Sequence, residues 1–85
     1  MHAKLENWNN GWFGVHLGFS PSEIDLLIKK LEELKKDTDQ HFHLSSDYKG
    51  NGGIGDVEIF VKTPDTKDNF QLSSLAIPPG STVGF

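Results

Sequence analysis

The chain has 85 residues, 35% of them apolar, which suits one domain with a modest core and an ordinary stability of roughly 4–13 kcal/mol. There is no cysteine, so a disulfide framework, a thiolate metal site and a cysteine nucleophile are all excluded, and the cytosol is the expected compartment. The basic residues are all lysine against twelve acidic ones, for a net charge of −4, which argues against nucleic-acid binding and favours a basic partner.

Met1 to Glu6 holds no apolar core of signal-peptide length, and no apolar run approaches a membrane span, so neither a visible export signal nor membrane insertion is expected. The first element is a hairpin, residues 3–8 and 12–19, closed at Asn9-Asn10-Gly11. A two-residue turn would pair Leu5 with His16 and mix polar and apolar faces. A three-residue loop pairs Trp8 with Trp12 and Leu5 with Val15, and puts Gly11 where a left-handed residue is needed.

Ser20-Pro21-Ser22-Glu23 reads as a capping box, with Pro21 at the first helical position and Phe19 and Ile24 as a flanking hydrophobic staple. Ile24, Leu27, Ile28, Leu31 and Leu34 recur at helical spacing as one apolar stripe, and Lys35 and Lys36 suit the helix C-terminus, near Asp37. Three further strands are expected at about 40–45, 56–62 and 69–77, the last weakened by Ser73-Ser74. Phe42 and Leu44 alternate with His41 and His43, and Val57, Ile59 and Val61 with Glu58, Phe60 and Lys62. Thr63 to Asp68 is a turn by composition, and Pro78-Pro79-Gly80 ends the ordered part.

The expected architecture is α+β, ββαβββ, with a mixed or mainly antiparallel five-stranded sheet and one helix on one face. It forms a single domain over 1–85, ordered about 3–78 with a tail at 79–85. The expected core is Phe13, Val15, Leu17, Ile24, Leu27, Ile28, Leu31, Phe42, Leu44, Val57, Ile59 and Phe70. The uncovered sheet face then carries Trp8, Trp12, His16, His41, His43, Glu58 and Phe60, with Gly14 and Gly18 between them. Aromatic residues and histidine on an open face are what an interface centre contains, so these seven are the expected partner-binding residues.

Gly50 to Gly55 reads G-N-G-G-I-G, which matches a dinucleotide fingerprint, but it leads into a strand instead of opening a helix and reads as a plain connection. Ser46 to Lys49 matches S-x-x-K without the helix that motif requires. His41 and His43 project to one face of a strand; with His16, if its strand is adjacent, and Glu58, they form an alternative reading as a small metal-binding enzyme or ligand-binding domain. No catalytic residue and no cofactor is assigned.

Asn7-Trp8-Asn9-Asn10-Gly11-Trp12, Ser20-Pro21-Ser22-Glu23, His41-Phe42-His43-Leu44 and Gly52-Gly53-Ile54-Gly55-Asp56-Val57-Glu58 together resemble small immunity proteins encoded beside bacterial polymorphic toxins. The resemblance runs from about Leu5 to Ile77. It implies a non-enzymatic, cytoplasmic inhibitor that binds a cognate toxin and blocks its active site; a homodimer built on the same face is compatible with that reading.

Overall fold

The computed structural model describes residues 1–72 and has the α+β composition expected: two hairpins and one helix. Strands β1 (His2–Asn7) and β2 (Phe13–Gly18) pair antiparallel. Helix α1 (Pro21–Lys36) follows at once, and then β3 (His41–Ser45) pairs antiparallel with β4 (Asp56–Phe60).

Local rules are obeyed closely. Leu5 faces Val15 across the first hairpin, and the Trp8 amide donates to the Trp12 carbonyl at 3.1 Å, which gives the three-residue loop that side-chain parity requires. At the helix start the Glu23 amide donates to Ser20 Oγ at 3.3 Å, while Glu23 Oε1 accepts from the Ser20 amide at 2.9 Å. These two bonds satisfy amides that the first helical turn leaves without intrahelical acceptors. Asp37 caps the other end.

Assembly of these pieces departs from expectation. Instead of one five-stranded sheet there are two separate two-stranded sheets among the described residues. Residues 69–72 of the expected fifth strand form no strand, and Phe70, expected in the core, is 89% exposed. The rest of that strand, Pro78-Pro79-Gly80 and the tail at 79–85 lie outside the described residues.

The helix packs by one edge of its apolar stripe, Leu27 and Leu34, instead of by the whole stripe expected. Hollows between α1 and β3 are lined by Leu27, Lys30 and Leu34 from the helix and Phe42 and Leu44 from the strand. Leu34 is the one buried hydrophobic residue among those described, at 6% exposure; Leu27, Phe42, Leu44, Val57 and Ile59 are half-buried. Ile24, Ile28 and Leu31 sit roughly 40–120° further round the helix from Leu27 and Leu34, by the 3.6-residue turn, and are exposed. Phe13, Val15 and Leu17 are exposed too, because no element among the described residues covers the apolar face of the first hairpin. Periodicity selected apolar residues correctly but not the surfaces that would bury them.

The start of the chain lies against both the helix and the second hairpin. The Met1 amine reaches Glu23 Oε2 at 2.6 Å, and Met1, His2 and Ala3 share a hollow with Leu44, Ile54 and Val57. No helix among the described residues is long and apolar enough to cross a membrane.

Candidate functional site

The seven expected contact residues fall on two separate hairpins. Trp8 and Trp12 stand at the tip of the first, 54% and 71% exposed. The tip is tightly tied: the Asn9 amide donates to Asn7 Oδ1 at 2.8 Å and the Trp12 amide to Asn10 Oδ1 at 3.0 Å. Asparagine suits these places because its short side chain closes a turn on the backbone two residues ahead. It also tolerates positive φ, as at Asn9 (59°), and Gly11 takes φ 93° in the same loop. The two indoles are therefore carried on a pre-shaped loop, and Trp8 lies across the strand against Gly14.

His16 lies on the same hairpin, in a different sheet from His41 and His43. Its Nε2 is 2.5 Å from Glu6 Oε2, a diagonal contact that follows from the register placing Glu6 opposite Gly14 and Lys4 opposite His16. The expected grouping of His16 with His41 and His43 is not formed, because β2 and β3 belong to different sheets.

On the second hairpin parity holds throughout. Residues alternate exposed and half-buried along both strands, and the register sets His41 opposite Phe60 and His43 opposite Glu58. The exposed face thus gathers His41, His43, Ser45, Asp56, Glu58 and Phe60. The two imidazole rings meet edge to face with centroids 5.0 Å apart. Glu58 Oε1 lies 3.8 Å from His41 Nε2 and 3.7 Å from His43 Nε2, and the three donor atoms are all within 4.8 Å of one another.

Asp56 is the member that sequence reasoning missed. Its Oδ2 accepts from His43 Nδ1 at 2.9 Å, and its Oδ1 accepts from Ser45 Oγ at 3.1 Å. That hydrogen bond raises the His43 pKa above its ordinary value, partly opposed by desolvation, and the same bond holds the Asp56 carboxyl below its ordinary value. The alternation that put Glu58 on this face put Asp56 there as well, so the signal was present once the strand was taken to start at Asp56.

The Gly50–Gly55 loop joins two antiparallel strands, with the Ser46 amide donating to the Gly55 carbonyl at 2.9 Å, so neither the dinucleotide motif nor S-x-x-K at 46–49 has the helical context its chemistry needs. Comparison of the chain with protein-family models, with curated proteins and with solved structures gives no match in any of the three.

Proposed function

We propose that the chain is a non-catalytic binding protein, an inhibitor of a cognate bacterial toxin in the cytoplasm, anchored on its partner by Trp8 and Trp12. The observation that carries this reading is the pair of exposed indoles on a hydrogen-bonded three-residue loop. Rigid aromatic side chains lose little conformational freedom on binding, so their buried area converts efficiently into affinity. The exposed Leu5, Phe13, Val15 and Leu17 form a second apolar surface, on the opposite face of the same hairpin from Gly14 and the Trp8 ring that lies against it. A net charge of −4 favours a basic toxin domain and would speed encounter more than it strengthens the complex. Phe60, 55% exposed beside His41, His43 and Glu58, provides a second contact on the other hairpin, and His16 shares the face of the first hairpin on which Trp8 lies against Gly14.

The test is to purify the chain with the product of its neighbouring reading frame and to compare wild type, Trp12→Ala, Phe60→Ala and the helix-surface control Lys29→Ala. Aromatic anchors typically cost at least about 2 kcal/mol when truncated, more than tenfold in Kd. Trp12→Ala should show that loss and Lys29→Ala none. Equal affinity in all four proteins, with helix content unchanged, overturns the assignment. Sedimentation of the chain alone distinguishes the other occupant of this surface, a second copy: concentration-dependent dimerisation abolished by Trp12→Ala would assign the hairpin to self-association.

A further inference from the structure

Three proton-accepting atoms converge on the solvent face of the second hairpin: Nε2 of His41, Nε2 of His43 and Oε1 of Glu58. Asp56 Oδ2 accepts from His43 Nδ1 at 2.9 Å, and His43 Nε2 lies 3.7 Å from Glu58 Oε1.

We propose that His41, His43 and Glu58 form a binding site for a divalent transition-metal ion of the zinc class, with Asp56 as the residue that orients His43. Two imidazoles and a carboxylate are a donor set suited to zinc, and an ion bound at about 2.0–2.2 Å in tetrahedral geometry keeps its ligands roughly 3.4 Å apart. The observed separations of 3.7 and 3.8 Å from Glu58 need a few tenths of an ångström of closure, and the two imidazole nitrogens, within 4.8 Å, need up to about 1.4 Å. Side chains that are exposed on a strand have the rotamer freedom to supply it. Backbone register does the rest: His41 and His43 are two apart on β3 and Glu58 is directly across on β4, so three ligands are fixed to one face without any loop having to fold over.

Asp56 supplies what a chance pairing of surface histidines lacks. A carboxylate accepting the distal N–H of a ligating imidazole fixes its tautomer and ring orientation and raises its basicity. Here that carboxylate is itself held by Ser45. Three protein ligands leave a fourth position to solvent. The site lies on a different hairpin from the tryptophan tip that anchors the binding reading above, and adjoins Phe60, that reading's second contact.

The experiment is calorimetric titration and equilibrium dialysis of the full chain with zinc chloride near neutral pH. Wild type should take up one ion per chain. His41→Ala, His43→Ala and Glu58→Gln should each abolish saturable uptake, Asp56→Asn should weaken it about 10–100-fold, and His16→Ala should leave it unchanged. In the metal-bound protein, imidazole ¹⁵N shifts should place the His43 proton on Nδ1. All the substituted side chains are exposed, and circular dichroism of each variant checks that the helix is retained. Uptake that is absent in wild type, that survives His43→Ala and Glu58→Gln, or that is lost equally in His16→Ala overturns the site.

Discussion

Trp8 lies so close over Gly14 that a Cβ built on the glycine would stand 3.1 Å from both Cζ2 and Nε1 of the indole. Glycine at this position is therefore a seat for the ring and answers no need of the backbone, since Gly14 is not among the residues with positive φ. Gly18, on the same face, has only ordinary contacts for an added Cβ, the nearest being His2 Cβ at 3.8 Å.

The two glycines should consequently respond differently to alanine. Gly18→Ala should gain about 0.5–1 kcal/mol by restricting the unfolded strand. Gly14→Ala should forfeit that gain, shift the Trp8 ring and lower partner affinity along with Trp12→Ala. Chemical denaturation and tryptophan emission measure both effects; a Gly14→Ala protein as stabilised as Gly18→Ala, with unchanged emission, would mean that the ring is not seated there.

Leu34 and Leu31 separate the packed edge of the helix from its free edge. Leu34→Ala, at the one buried hydrophobic position among the described residues, should cost about 2–5 kcal/mol. Leu31, 43% exposed, should cost about 1 kcal/mol, in proportion to its partial burial. A larger loss at Leu31 in dilute protein would show that the expected stripe of Ile24, Ile28 and Leu31 is covered after all.

What could be read from the sequence was local. The loop length at Asn9-Asn10-Gly11 followed from parity across one turn, the capping box from four consecutive residues, and the shared face of His41, His43 and Glu58 from strand alternation. What could not be read was association between elements. Parity assigns His16 and His41 the same kind of face, but only strand order makes them neighbours, and pairing across a long separation leaves no periodic mark on either strand. The error at Phe13, Val15 and Leu17 has the same origin: alternation shows that one face of a hairpin is apolar and carries no information about what lies against it. Phe70 was placed in the core on the strength of a fifth strand whose Ser73-Ser74 already weakened it.

At the helix start, Ser20→Ala should cost roughly 1 kcal/mol, because the Glu23 amide loses its acceptor. Ser22, whose hydroxyl meets only that of Ser20, should be near neutral when replaced by alanine. The Glu23 carboxyl is lowered from 4.5 to about 2, chiefly by its hydrogen bond from the Met1 amine and then by those from the Ser20 amide and hydroxyl. A depressed acid contributes stability that is full above its unfolded value and is lost as pH falls through its folded value. Denaturation midpoints should therefore drop between pH 4.5 and about 2, and Glu23→Gln should flatten that part of the profile. Similar midpoints for Ser20→Ala and Ser22→Ala would show that the box contributes nothing.

The pair of His43 and Asp56 gives a pH dependence of its own in the metal-free protein. Asp56 is held below its ordinary value of 3.8, so its contribution is complete above that pH and disappears as pH falls through the lowered value. His43 is raised above 6.5, so its contribution is complete below that pH and disappears as pH rises through the raised value. The two windows overlap between 3.8 and 6.5, where both groups are charged and the hydrogen bond is charge-assisted. Both side chains are well exposed, so solvent screens the pair and the effect on global stability is small. The sharper measurement is the imidazole itself: an NMR titration should place the His43 midpoint above 6.5 in wild type and lower it in Asp56→Asn, with Ser45→Ala intermediate because Ser45 only supports the carboxylate. The stability difference between wild type and Asp56→Asn should be larger near pH 5 than near pH 8, following the protonation of His43. A His43 midpoint that Asp56→Asn leaves in place would show that the 2.9 Å contact does not persist in solution, and with it would go the orientation that fixes the His43 tautomer.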